Sequence, residues 1–174
     1  MAAERFGIIK FAGKDQTVVG DDIKVGQKAP DFVIQKNDWS LAKGLKETKG
    51  KVRIIAAVPS LDTAVCDRET RRFNEEAAKL SKEIAVLVVS MDLPVAQKRW
   101  CGAAGVDQVM TFSDAVKADF GKKYGTLMKE VRILRRSIFI VNKKGMVTYV
   151  AYMPTNGDEP NYEEVLVAAR AALD

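Results

Sequence analysis

Apolar residues in this chain come in short blocks whose period changes along its length. Residues 52–58 and 84–89 are nearly unbroken apolar runs, the pattern of central strands covered on both faces. Residues 6–11 and 16–19 read as two shorter strands. Gly13, Lys14 and Asp15 between them suit a hairpin turn, and Gly20, Asp21 and Asp22 close the unit. Residues 26–30 form a loop before a short strand at 32–34. Asn37 to Ser40 is a turn, Leu41 opens another short element, and 43–50 is a loop rich in lysine and glycine.

Helical spacing takes over after residue 66. Phe73, Ala77 and Leu80 share one stripe of an amphipathic segment spanning 67–82, and Glu75 and Lys79 form an i,i+4 pair on another face. Asp92 is a candidate cap, with Pro94 in the first turn, for a helix running through Ala96 to Trp100; Cys101 stands at its end before Gly102 and Gly105. A strand at 109–112 precedes a helix at 115–124, capped by Ser113, with Val116, Phe120 and Tyr124 as its stripe. Strands at 137–141 and 146–152 flank a turn at 142–145 and read as a hairpin. Tyr162, Val165, Leu166, Ala169 and Leu173 lie on one face of a final helix. Strands alternating with helices, then a hairpin and a closing helix, predict an α/β sandwich of three layers. Residues 1–174 are expected to form a single domain without repeats.

Composition narrows the chemistry. The 174 residues contain no histidine, so no Ser-His-Asp or Cys-His pair and no histidine-based metal site can be built. Two cysteines cannot make a four-sulfur zinc site or a secreted disulfide scaffold, so no metal and no bound cofactor are expected. The net charge of +5 is spread over the whole length. That argues for a weakly basic enzyme and against a nucleic-acid stripe. Residues 1–6 lack the apolar core of a signal peptide and no apolar run reaches spanning length, so a cytoplasmic protein away from membranes is expected.

The redox-active side chains are then Cys66, Cys101 and the methionines. Cys66 follows a strand and the loop Pro59-Ser-Leu-Asp-Thr-Ala-Val, and falls in the first turn of a helix. Free N–H groups and the positive end of the helix dipole favour a thiolate there. Pro59 fixes the chain as it leaves the strand. Thr63, three residues before Cys66, is placed to present a hydroxyl near the sulfur.

The pattern Pro-x-x-x-Thr-x-x-Cys resembles the active-site motif of the peroxiredoxins. The wider string through Asp67-Arg-Glu-Thr-Arg-Arg-Phe73 resembles the thiol peroxidases that use two cysteines in one chain. The resemblance implies a thioredoxin-like fold with an extra N-terminal β-hairpin. It implies that Cys66 attacks hydrogen peroxide or an organic hydroperoxide and becomes a sulfenic acid. The family places an arginine beside the sulfur from a later strand, and the string Arg136-Ser-Ile-Phe139-Ile-Val-Asn142 matches it through Arg136, with Asn142 where aspartate is usual. Thr63 and Pro59 match the peroxide-binding and shielding positions. Cys101, in a string that resembles the family's second cysteine, is the implied resolving cysteine. The implied reductant is thioredoxin and the implied assembly a homodimer. Glu69 is placed to hold Arg71, Arg72 or Arg136, and Arg68, Arg71 and Arg72 form either a positive cluster near Cys66 or a solvated helix face. Two other readings compete. A disulfide oxidoreductase on the same fold needs Cys-x-x-Cys, and Thr63 and Glu69 occupy the flanking positions here. A binding or chaperone module would use both cysteines only for packing.

Overall fold

The structure, a computed structural model, describes residues 2–174. Eleven strands and five helices follow in the order β1 (Glu4–Phe11), β2 (Lys14–Val19), β3 (Val33–Gln35), β4 (Leu41–Lys43), α1 (Gly44–Glu47), β5 (Val52–Ala57), α2 (Ala64–Ala77), β6 (Ile84–Ser90), α3 (Pro94–Ala104), β7 (Met110–Ser113), α4 (Asp119–Lys123), β8 (Leu127–Met128), β9 (Ile133–Leu134), β10 (Ser137–Val141), β11 (Val147–Tyr152) and α5 (Tyr162–Ala171). The main sheet has the order β11-β10-β5-β6-β7-β3-β4. β5 sits inside it, parallel to β6 and antiparallel to β10.

All six residues of β5 are buried, as the unbroken apolar run requires. The two-residue period of the strand divides that run between two cores. Val52, Ile54 and Ala56 join Phe73 of α2, Trp100 of α3, and Val165 and Ala169 of α5. Ile55 and Ala57 face the other way, onto Phe32, Phe120 and Tyr124. Helices on both faces of one sheet make the three-layered thioredoxin-like sandwich.

The N-terminal hairpin turns on Ala12 and Gly13, whose φ values of 49° and 76° match the two-residue turn that continues strand twist. Lys14 and Asp15, expected in the turn, are paired strand residues. The hairpin extends into a second sheet of order β1-β2-β8-β9. β8 and β9 have two residues each, too short for an alternation to register in sequence. Ile9, Val18 and Met128 form a small core there.

Three local expectations are corrected. The helix expected at 115–124 shrinks to Asp119–Lys123, because Ala118 adopts a left-handed φ of 48°. Val116 is thereby exposed, and buried Asp114 rather than Ser113 accepts from the N–H groups of Phe120 and Gly121 at 3.0 and 2.8 Å. Asp92 does not cap α3; Leu93 occupies that position. Lys79 pairs with Glu76 instead of Glu75, and Arg72 pairs with Glu76 as well. A smaller difference lies at 43–50, where one helical turn, α1, interrupts the loop.

Gly20, just after β2, packs against the backbone of α4. Its φ is 93°, and a Cβ there would stand 1.9 Å from the carbonyl oxygen of Lys122. Gly20→Ala therefore combines a backbone clash with a strained conformation. It should lower unfolding stability by more than about 2 kcal/mol, measured as a fall in urea midpoint; a change within about 0.5 kcal/mol, typical of a surface site, would contradict this packing.

Candidate active site

β5 ends at Ala57 and the chain turns through Pro59 and Ser60 into α2. Asp92 holds that turn: its carboxylate accepts from Leu61 N at 2.8 Å and from the hydroxyls of Ser60 and Ser90 at 2.7 Å each. Thr63 is the N-cap residue, with an extended ψ of 144°. Its hydroxyl donates to the Ser60 carbonyl at 2.9 Å, and its own carbonyl accepts from Asp67 N at 2.9 Å. Cys66 is the third residue of α2 and is fully buried. The helix N-terminus thus lies against its sulfur, where the macrodipole favours negative charge.

Arg136, just before β10, donates from Nη2 to Cys66 Sγ at 3.2 Å. Arg136 is itself 1 % exposed and satisfied on every side. Nη1 pairs with the buried Glu69 carboxylate one turn along α2. Nε and Nη2 donate to the Asn156 carbonyl at 3.1 and 3.0 Å, while Asn156 Oδ1 accepts from Arg136 N at 2.9 Å. Of the three arginines open to Glu69, the fold selects Arg136. Arg135 faces the other way, stacked 3.8 Å from the Tyr152 ring centroid and paired with Asp22. Arg71 and Arg72 pair along α2 with Asp67 and Glu76, and Arg68 with Glu159.

A pocket of about 350 Å³ opens beside this cluster, lined by Pro59, Thr63, Arg136, Asn156 and the hairpin tip at Lys10, Phe11 and Ala12. A buried thiol, a guanidinium and a carboxylate thus lie beside an open, apolar-walled pocket. The Redoxin family model matches residues 24–166. The chain is 50% identical to a thiol peroxidase of Halalkalibacterium halodurans over 95% of its length and 98% of the relative's. A thiol peroxidase of Bacillus subtilis is 48% identical over the same shares. The chain belongs to the redoxin family, among its thiol peroxidases.

Solved structures agree. A peroxiredoxin-like protein from Aquifex aeolicus superposes with a TM-score of 0.86 at 39% identity, covering 99% of each chain. A thiol peroxidase from Chromobacterium violaceum shares the fold with a TM-score of 0.80 at 19% identity, over 94% of this chain and 95% of the other. Membership in this enzyme family brings peroxide substrates and a thiol reductant.

In this thiol peroxidase Cys66 and Cys101 are both free thiols. Cys101 is partly buried on α3, with Sγ 3.5 Å from Thr111 Oγ1, and packs at the edge of the core that contains Cys66. α2 and α3 are latched together. Trp100 Nε1 donates to Asp67 at 3.0 Å, and Arg71 bridges Asp67 at 2.9 Å and the Ala104 carbonyl at 3.0 Å. Asn74 Oδ1 accepts from the N–H groups of Asp107 and Gln108 at 3.1 and 2.7 Å. Gly105, with φ of 65°, ends α3, whereas Gly102 lies inside it.

Sequence reasoning missed Asn156, Met128 and the hairpin tip. Asn156 carries only the turn signal of the Asn-Gly dipeptide. Its amide donates to Met128 Sδ at 3.6 Å, tying the small sheet to the loop that holds Arg136. Nothing in local sequence reports that contact. Among the described residues no group of three or more potential ligands is arranged to hold a metal, and no helix is long and apolar enough to cross a membrane.

Glu69 provides a pH signature. Burial pushes its carboxyl from the ordinary 4.5 up to about 7, and the charge and hydrogen bond of Arg136 reduce that rise without cancelling it. Between these values the folded state keeps a proton that the unfolded chain has lost. The stability contributed by this group therefore falls as pH rises from 4.5 to about 7 and then levels. Urea unfolding across that window should show a decline of at most about 3 kcal/mol that Glu69→Gln flattens. An identical slope in the two proteins would contradict the assignment.

Proposed function

We propose that Cys66 is the peroxidatic cysteine of a two-cysteine cycle. The supporting observation is the 3.2 Å hydrogen bond from a buried, fully partnered Arg136 to its sulfur. A cation held there favours the thiolate and is aimed at the oxygen that develops charge as the peroxide bond breaks. The thiolate attacks the distal oxygen of ROOH. The O–O bond breaks, RO⁻ leaves and takes a proton to become ROH, and Cys66 becomes the sulfenic acid. Thr63 and Pro59 line the pocket in which the peroxide would dock. The apolar wall from Phe11 and Ala12 favours organic hydroperoxides alongside hydrogen peroxide.

Cys101 then attacks the sulfenic sulfur, water leaves, and an intramolecular disulfide forms. Thioredoxin, a dithiol protein, reduces that bond by exchange. A cycle that begins from two free thiols suits a reducing compartment, and we place the enzyme in the cytoplasm as a homodimer acting through residues 1–174 as one domain.

One equivalent of hydrogen peroxide should lower the mass of the pure protein by two hydrogens and remove both free thiols, as read by mass spectrometry and thiol titration. Cys66→Ser should abolish peroxide consumption, and Cys101→Ser should stop after one turnover with a sulfenic acid that dimedone traps. Arg136→Gln should slow the reaction about 10²–10³-fold, as for loss of a charged transition-state donor. Retention of substantial activity by Cys66→Ser would end this reading.

Closure of the disulfide requires Cα atoms within about 7 Å, and we propose that the α2–α3 latch releases to let the two cysteines meet. Amide exchange at residues 99–104 should be faster than in β5 and β6, and faster again in the oxidised protein. Equal protection of this segment in both redox states would mean that the bond closes without unwinding.

A further inference from the structure

β5 leads to Cys66 from one end and carries Arg53 near the other. Around Arg53 opens a second pocket, of about 540 Å³, ringed by Lys28, Lys46, Lys49, Lys143 and Lys144. That is the size of a small-molecule site. Asp31 is the single carboxylate in its lining, and its Oδ1 already accepts from Phe32 N at 2.9 Å and Leu45 N at 3.0 Å. Lys143 reaches out to Glu83 at 3.0 Å. Lys28, Lys46, Lys49 and Lys144 have no ion-pair partner among the described residues, and all four are exposed.

Arg53 distinguishes this pocket from a solvated basic patch. It is 4 % exposed, and its partners are neutral: Nε donates to Thr48 Oγ1, Nη1 to the Asn142 carbonyl and Nη2 to the Leu45 carbonyl, each at 3.0 Å. No carboxylate lies within ion-pair distance of it among the described residues. Burial pushes the pKa of this guanidinium down, and the nearby Asp31 carboxylate, which makes no ion pair with it, only partly offsets that push. The same three bonds fasten α1 and the β10–β11 turn to one point, and Ala29 N donates to the Gly145 carbonyl at 2.9 Å to close the third wall. The walls are therefore preorganised, and their five lysines and Arg53 face one carboxylate, Asp31, so the lining carries a large positive excess.

We propose that this pocket binds a small phosphate-bearing anion, held by the ammonium groups of Lys28, Lys46, Lys49 and Lys144 over the fixed charge of Arg53. Lysines act as point charges on phosphate oxygens, and a ring of them suits a ligand with more than one negative charge. The site is separate from Cys66 and does not depend on the peroxidase cycle.

The test is calorimetric titration of the full-length protein with pyrophosphate at physiological ionic strength, where diffuse attraction is screened. Saturable binding at one site per chain with Kd below about 1 mM is expected. Lys46→Gln/Lys49→Gln should weaken it about tenfold or more, as loss of two direct charge contacts requires. Lys46→Arg/Lys49→Arg should retain it, and Lys14→Gln/Lys98→Gln, remote from the pocket, should leave it unchanged. Absence of saturation would overturn the proposal. So would equal weakening by the remote pair, which would mean general attraction to a basic chain. Equally tight binding of citrate would overturn the phosphate class.

Discussion

Arg136 carries its charge into the interior of the protein, and the arrangement that satisfies it orders everything around the Cys66 sulfur. Glu69 comes from α2, Asn156 from the loop after β11, and Cys66 from the first turn of α2. One guanidinium thus ties a helix, a strand start and a loop at a single point. Removing one partner of such a buried pair costs about 3–5 kcal/mol, because the other charge is left without compensation. The planar fork also sets direction: with Nε and Nη1 committed, Nη2 has one orientation, and the sulfur lies along it.

Glu69 and Cys66 compete for the same cation. When Glu69 is ionised it draws on the field of Arg136; when it is protonated more of that field falls on the sulfur. Burial raises the Glu69 carboxyl, and the charge of Arg136 opposes that rise. The Asp92 carboxylate, just after β6, accepts two bonds from the loop before α2 and one from Ser90, and so holds the backbone that leads to Cys66. The second sheet acts through Met128 and Asn156, so an element far from Cys66 in sequence reaches the group that orients Arg136. On the proposed cycle, the polar latch between α2 and α3 is the set of contacts that opens as Cys101 meets the sulfenic acid. Its contacts are half exposed, a placement that keeps such bonds weak enough to break.

Much of this protein was legible in its residues. The apolar runs of β5 and β6 can only be strands covered on both faces, and the loop from Pro59 to Cys66 can only deliver a cysteine to a helix start. Those are local facts, because strand period, proline geometry and helix dipole act over a few residues. Tertiary structure decided the rest. Which arginine Glu69 holds depends on pairing between segments 67 residues apart. The shortening of α4 follows from a left-handed Ala118 that its own propensity disfavours and the surrounding packing imposes. Asp92 left its capping position because two serines and an amide from another loop bound it better. β8 and β9 are invisible to any period count at two residues each, and Asn156 became part of the site only when a sheet contact and a buried guanidinium met it. Local chemistry determined where Cys66 stands; long-range burial of charge determined what stands beside it, since a desolvated guanidinium accepts only the partners that the whole fold brings within reach.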